Sequence, residues 1–504
     1  MDAIPLYRRL ATHYRAAIEN GALAPGDRMP SLRELMQQHE VSLSTALQVC
    51  RCLEADGWLE ARPRSGYFVS LAPRGERHAL AEPEPGPPPD PAQYVGMNAR
   101  VSGIIARGRQ SAVRVNFSGA RGAPILYPGE ALKNAAVRAL RRHPDLLARP
   151  ASHGGNAAFR AVLVKRALAG GMVLAPEDVL VTQGCMEALN LALRAVAAPG
   201  DIVAVESPSF YGLLQALETL GLRALEIPTS PLTGISLEAM QFALDSYADI
   251  KALVVVPHLQ NPLGAIMPDA HKVALVELCR QRGVALIEDD TYSALVDDGQ
   301  PRRALKSWDR DGGVIHCASL HKVLAPGMRL GWIHGGRWQA RVEMLKYAQS
   351  RDNEELPQLA AAEVMGSGDY DRHLHRLRGK LYEQRQRTAA AIASYFPSGT
   401  RFSQPKGGLA LWVELPGGIS SKAVFDRALD VGILIAPGLM FSNSNRYDGF
   451  IRLNCGMPYT AETDLALREL GTIVHRLADS AGGGEGDRRE RAGKRSRPLP
   501  ATTR

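Results

Sequence analysis

A multidomain chain is predicted: a small, mostly helical N-terminal domain followed by a large α/β domain. Three observations predict it. A length of 504 residues exceeds what one hydrophobic core serves. Residues 73 to 91, "PRGERHALAEPEPGPPPDP", carry seven prolines and no apolar periodicity, the composition of a stiff, extended linker. From residue 113 onward, apolar β-branched runs alternate with helical stretches, the pattern of a mostly parallel sheet covered on both faces. The expected division is a first domain over 1–71, a linker and lead-in over 72–112, the α/β domain over 113–478, and a basic tail without structure over 479–504.

Composition narrows the function classes. Hydrophobic residues at 45% and charged residues at 22% are those of an ordinary folded protein. No apolar run approaches the ~18 residues of a membrane span, and "MDAIPLYRRL" has neither the basic leader nor the apolar core of a signal peptide, so a cytoplasmic protein is expected. The six cysteines show no paired zinc spacing; they read as structural thiols, and no metal site is expected. A net charge of +8 permits a polyanionic partner without demanding one. Residues 1 to 78 hold ten arginines against nine acidic residues, so a nucleic-acid reading has to rest on pattern.

The first domain supplies that pattern. Leu6, Leu10, Tyr14, Ala17 and Ile18 fall at helical spacing, and "NGALAPGD" breaks the helix. "SLRELMQQ" opens with Ser31 as N-cap and Glu34 three residues later, a capping box that leaves Arg33 on the exposed face. "VSLSTALQVCRCLEADGW" has Ser42 as N-cap, Val41 as a staple, and Ala46, Val49 and Leu53 on one stripe. "WLEA" and "YFVS" then read as strands joined by "RPRSG". Three helices and a basic hairpin make a winged helix-turn-helix. Such a unit puts its third helix in the major groove, here with Ser42, Ser44, Thr45 and Gln48 towards base edges. The wing residues Arg62, Arg64 and Gly66 would meet phosphate or a minor groove.

Over residues 4 to 70 this stretch resembles the DNA-binding domain of the GntR family of bacterial regulators. The resemblance implies that Ser31, Arg33 and the start of the third helix contact operator DNA. Leu43 stands where that family often has arginine, which implies an altered contact.

In the α/β domain, ligands gather past the carboxyl ends of the strands. "VLVT" is followed by "QGCMEALNLALRAV", where Gly184 opens a helix whose N-terminal N–H groups suit a phosphate. "IVAVE" is followed by "SPSFYG", offering Phe210 or Tyr211 as a flat surface for a ring. Asn261 in "HLQNPLG" and Tyr292 in "DDTY" could reach one phenolic oxygen, and Asp289 could keep a pyridine nitrogen protonated. "SLHKVLAPGMRLGW" closes the set, with Lys322 as an aldehyde trap and Ser319 and Arg329 as a phosphate grip. Pyridoxal 5'-phosphate needs these groups together, because its protonated ring is the electron sink and a lysine amine holds its aldehyde.

Residues 113 to 478 resemble the fold-type I aminotransferases, a large α/β domain with a small C-terminal α/β subdomain. Behind a GntR-like head, the arrangement resembles the MocR subgroup. The resemblance implies that Lys322 is the Schiff-base and catalytic lysine, Asp289 the pyridinium partner, and Asn261 and Tyr292 the partners of the ring oxygen. It implies Phe210 as the stacking ring, and Gly184, Cys185 and Met186 with Ser319 and Arg329 as the phosphate site. Arg452 in "GFIRLNCG" corresponds to the arginine that receives a substrate carboxylate. Three features depart from the relatives' pattern. His321 replaces a serine before the lysine, Met186 replaces a polar residue, and "RPASHGGNAAFR" holds no tyrosine to reach the neighbouring subunit's phosphate site.

The fused head favours a transcription regulator that binds pyridoxal 5'-phosphate and senses an amino acid or other amine. The alternative left open is an active aminotransferase carrying a DNA-binding head. Operator DNA and a second copy of the chain, forming a homodimer, are the expected partners.

Overall fold

The computed structural model describes residues 6–19, 22–24, 26–55, 58–62, 65–70, 79–80, 92–94 and 96–493, with side chains as far as residue 480. The proline-rich run apart from residues 79 and 80, the wing residue Arg64, and residues 494–504 of the expected tail lie outside the described residues. The chain divides into two compact units, one of residues 1–76 with 386–394 and one of residues 77–385 with 395–504.

In the first unit, helices α1 (Leu6–Glu19), α2 (Leu32–His39) and α3 (Leu43–Ala55) precede an antiparallel hairpin of β1 (Leu59–Arg62) and β2 (Gly66–Val69). The capping box of α2 is formed: Glu34 N–H donates to Ser31 Oγ at 3.3 Å, and Ser31 N–H donates to Glu34 Oε2 at 2.7 Å. Glu40, in the left-handed region at φ 52°, ends that helix. Tyr14 and Ile18 of α1, Leu35 of α2, and Ala46, Val49 and Leu53 of α3 close one core with Leu59 and Val69 of the hairpin. Leu6 keeps the periodicity of its helix but stays half exposed, because it sits in the first turn, beyond the packed stripe.

The large unit is built on one sheet. Its strands are β3 (Gln93–Tyr94), β5 (Leu180–Thr182), β6 (Ile202–Ser207), β7 (Arg223–Ser230), β8 (Gly234–Ile235), β9 (Ile250–Val255), β10 (Ala285–Asp289), β11 (Val314–Ser319) and β12 (Gly331–His334), while β4 (Val115–Asn116) pairs elsewhere with Ile433–Leu434. The order across the sheet is β3-β7-β6-β9-β10-β11-β12-β5, with β8 on β7. Strands β7, β6, β9, β10 and β11 run parallel, and β12 is antiparallel to both neighbours. Along β9, Ala252 and Val254 join the cluster under helix Cys185–Val196, whereas Leu253 and Val255 join the cluster under helices Leu237–Ser246 and Asp269–Arg282. Burial on both faces is why these runs read as continuously apolar rather than alternating.

A smaller antiparallel sheet follows, in the order Arg401–Phe402, Ala410–Glu414, Phe450–Asn454, Ala436–Pro437, with helix Ser421–Asp430 beside it. Two stretches differ from expectation. The lead-in before residue 113 holds the edge strand β3 and a helix, Asn98–Gln110, anchored by the fully buried Met97 and Val101. The final helix runs Ala461–Gly493, so it continues into the stretch expected to lack structure. Its buried face of Ala466, Leu467, Leu470 and Val474 nucleates the helix, and each residue added to a formed helix then costs little. Among the described residues no helix is long and apolar enough to cross a membrane.

Leu253 is fully buried at the centre of the sheet. Leu253→Ala should destabilise the large unit by about 2–5 kcal/mol, read as a lower denaturant midpoint with an unchanged slope.

Candidate functional site

The carboxyl ends of the parallel strands open on a cavity of about 230 Å³. All ten residues expected to hold the cofactor, and Arg452, line it. Sequence separations of more than a hundred residues are closed by the strand order: β10 delivers Asp289, β11 delivers Ser319, and the turn after β5 delivers Gly184.

At the phosphate end, Gly184 is the N-cap of helix Cys185–Val196 with φ 87°, a conformation L side chains rarely adopt. A Cβ there would come within 3.3 Å of Arg329 Nη2, and a Cβ on Gly331 would lie 2.6 Å from the Gly184 carbonyl carbon. Two glycines thus let the loop, β12 and the arginine crowd together. Arg329 itself is left-handed at φ 53°, directly after the turn Pro326–Met328, and its Nη2 donates to the Gln183 carbonyl at 3.2 Å. The Pro326–Met328 turn thus brings the guanidinium to the helix start.

At the opposite end, Asp289 is buried and accepts from Thr291 Oγ1 at 2.6 Å, Thr291 N–H at 3.1 Å and Cys185 Sγ at 3.2 Å. Burial raises its pKa, and the bonds from Thr291 and Cys185 oppose that rise. The flanking carboxylates face a separate buried network that anchors the end of β10. Glu288 accepts from the N–H groups of Leu305 and Lys306 at 2.8 and 3.0 Å, and Asp290 meets His258 at 2.8 Å and His316 at 3.3 Å.

Lys322 Nζ donates to the carbonyl of Ala120. Burial, reinforced by the charge of Arg452 and opposed by Asp289, brings its pKa down to about 7. Half of a population of such amines is free base near neutrality, the form that attacks an aldehyde. Arg452 is buried and donates from Nη1 to Asn261 Oδ1 at 2.9 Å and from Nη2 to the Ser118 carbonyl at 2.6 Å. Its Nε is buried with no hydrogen-bond partner among the described residues. Asn261 Nδ2 stands 3.5 Å from the Tyr292 hydroxyl, so the two polar groups flank one position.

Phe210 and Tyr211 both line the cavity, their rings 4.9 Å apart. Gly212 makes room for the first: a Cβ there would lie 2.6 Å from Phe210 Cε1. Tyr211 faces the Arg452 guanidinium at 6.0 Å. Sequence reasoning missed Thr291, Ala120 and Ser118. Thr291, two residues after a strand-end aspartate, had a usable signal in the Asx-type turn, whereas the other two act through backbone carbonyls that no side chain advertises.

The donor set fits pyridoxal 5'-phosphate. A buried carboxylate, a deprotonatable lysine and a glycine-crowded helix start with an arginine match the ring nitrogen, the aldehyde and the phosphate respectively.

On the first unit, Arg33, Ser42, Ser44 and Gln48 are exposed and Ser31 and Thr45 partly so. Ser42 Oγ lies 2.8 Å from Ser44 Oγ and 2.9 Å from Thr45 Oγ1, so the three hydroxyls form one patch at the start of α3. Ser31 Oγ is engaged as the cap of α2. Arg62 holds Glu60 through Nε and Nη2 at 2.8 and 2.5 Å and lies 4.2 Å over the Phe68 ring, so its charge is already partly neutralised. Gly66, at φ 99°, starts β2, and the exposed Arg28, absent from the sequence-based set, passes 3.8 Å from where its Cβ would be.

Comparison with known proteins agrees with both units. Residues 6–69 match the gntR family of bacterial regulatory proteins, and residues 127–469 match aminotransferase class I and II. The uncharacterized HTH-type transcriptional regulator YjiR of Escherichia coli is 36% identical over 94% of this chain and 99% of its own length. The HTH-type transcriptional regulator TauR of Rhodobacter capsulatus is 27% identical over 88% of this chain and 90% of its own. Among solved structures, LysN, the α-aminoadipate aminotransferase of Thermus thermophilus complexed with N-(5'-phosphopyridoxyl)-L-leucine, superposes with a TM-score of 0.68 at 28% identity. That match covers 75% of this chain and 94% of LysN.

With its pKa near 7, the Lys322 amine should capture pyridoxal faster as pH rises from 6 to 8 and level off above, where an ordinary lysine would keep accelerating towards 10. Stopped-flow absorbance across that range checks this; continued acceleration to pH 10 would refute the depressed pKa.

Proposed function

The chain belongs to the aminotransferase class I and II family and is a GntR-headed transcription regulator of the MocR architecture; from that premise we propose that its large domain holds pyridoxal 5'-phosphate and senses an amino compound. The observation that carries this reading is the convergence of Lys322, Asp289 and Arg452 on one cavity. When bound there, the cofactor supplies an aldehyde for amine capture and a protonated ring that withdraws electrons.

Each residue has a task towards that group. Lys322, its amine brought down to a pKa of about 7, would hold the aldehyde end. Asp289, fixed by Thr291 and Cys185, keeps a proton on the ring nitrogen. Asn261 and Tyr292 bond the ring oxygen, Phe210 lies against the ring, and Ser319, Arg329 and the N–H groups after Gly184 bind the phosphate with Cys185 and Met186. Arg452, which lines the same cavity, would receive the carboxylate of an incoming amino acid and so place its amine beside Lys322.

The sensing step is an equilibrium shift. A ligand can change DNA binding only by its different affinity for two arrangements of the protein. Engagement of Arg452 by a carboxylate is a contact an amino acid would make and the cofactor alone would not. We assign operator recognition to the start of α3 and to Arg33, and take a homodimer as the working form, since paired heads suit paired half-sites.

An operator fragment from DNA flanking the chain's own gene should bind with an affinity that changes on adding pyridoxal 5'-phosphate and an amino acid. Lys322→Ala should bind DNA without that change and lose the borohydride-reducible linkage. No binding to any flanking fragment, with or without cofactor, would sink the regulator reading for those operators. Arg33→Ala should weaken operator binding and reduce the slope of log affinity against log salt by about 1, measured by fluorescence anisotropy at several salt concentrations.

A further inference from the structure

His321 lines the same cavity as Ser319 and Arg329, immediately before Lys322. Its Nδ1 lies 3.3 Å from the Pro326 carbonyl oxygen. A carbonyl only accepts, so Nδ1 carries the hydrogen of the neutral ring. Nε2, on the edge turned away from Pro326, is then a bare acceptor.

The ring is neutral at physiological pH for reasons visible around it. Burial comes first, and the facing charges of Lys322, Arg329 and Arg121 add to it, holding the pKa down at about 4 against the opposing Pro326 carbonyl. The charged groups with the largest effect on the ring, Lys322, Arg329 and Arg121, are all cations. A phosphate dianion seated between Ser319 and Arg329 brings only acceptor oxygens to this edge. Two acceptors cannot bond without a proton between them.

Resting on the reading of the cavity as a pyridoxal phosphate site, we propose that His321 couples phosphate binding to proton uptake, with one solvent proton held between Nε2 and a phosphate oxygen. The proton comes from water and nothing is oxidised or cleaved. The added charge is offset by the dianion beside it, so the pair is stable in the complex and absent from either partner alone. Serine at this position would donate its own hydroxyl hydrogen and take up nothing. The consequence is a cofactor site whose grip on a phosphorylated ligand weakens as pH rises, and only for the phosphorylated form.

The sign follows from the two states. The free ring is unprotonated above about pH 4, and a phosphate monoester is mostly dianionic above ~6, so binding near neutrality gains a proton and affinity falls with pH. Pyridoxamine 5'-phosphate and pyridoxamine are the probes, because neither has an aldehyde to react with Lys322. Calorimetry of the full chain between pH 6.5 and 8.5, in buffers of different ionisation enthalpy, gives both affinity and proton uptake. The wild type should take up close to one proton more with pyridoxamine 5'-phosphate than with pyridoxamine, and the ratio of the two affinities should fall about tenfold from pH 7 to 8. For His321→Ser and His321→Asn that difference in uptake should be small and the ratio should change less than about threefold over that unit, since neither side chain titrates there and Lys322, which titrates near 7, contributes to both probes. Pyridoxamine should behave alike in all three proteins. Equal proton uptake in wild type and both variants would overturn the proposal while leaving the cofactor reading intact. Failure of the wild type to bind pyridoxamine 5'-phosphate at any pH would overturn both.

Discussion

Desolvation of the Lys322 amine is the constraint on which the rest of the site turns. A lysine in water is charged and unreactive towards aldehydes at neutral pH. Here burial and the Arg452 guanidinium work against the charged form, while Asp289 pulls the other way, and burial wins. That balance requires the surrounding groups to be fixed. Arg452 is held by Asn261 and the Ser118 carbonyl, and Asp289 by Thr291 and Cys185. The strands behind them are held by side chains buried on both faces of the sheet. A loosened sheet would admit water, and water would restore the ordinary lysine.

The same arrangement suits a sensor. The polar groups already satisfied within the protein, Asn261 and the Ser118 carbonyl among them, fix Arg452 at the cavity wall. Binding energy that appears only when an amine and a carboxylate arrive together is what a selective response needs. In the head, the hydroxyl patch at the start of α3 is exposed while Arg62 is tied to Glu60 and Phe68.

Legibility in the sequence followed the chemistry of each signal. Asp289, Ser319 and Gly184 could be read because a buried parallel strand is an uninterrupted apolar run and the first polar residue after it stands at the ligand edge. The capping box of α2 could be read because both partners are side chains three residues apart. Ala120 and Ser118 could not, since a carbonyl acceptor is common to every residue. The helix Asn98–Gln110 was hidden behind the proline-rich run, with one fully buried residue, Val101, to mark its face. The pairing of Arg62 with Glu60 on one strand face could be suspected from their two-residue spacing, but the Phe68 contact needed the register of the hairpin.

The sequence by itself determined the two-part architecture, the order of the strands along the chain and the identity of the groups that can do chemistry, because these rest on periodicity, turn residues and side-chain type. Tertiary structure decided three further things. It set which strand lies beside which, and so that residues from five strand ends meet; it set the dielectric around Lys322 and His321; and it set which nitrogen of His321 faces Pro326. The physical reason is common to all three. Proximity, burial and hydrogen-bond partner are properties of the space around a residue, and that space is filled by parts of the chain far away in sequence.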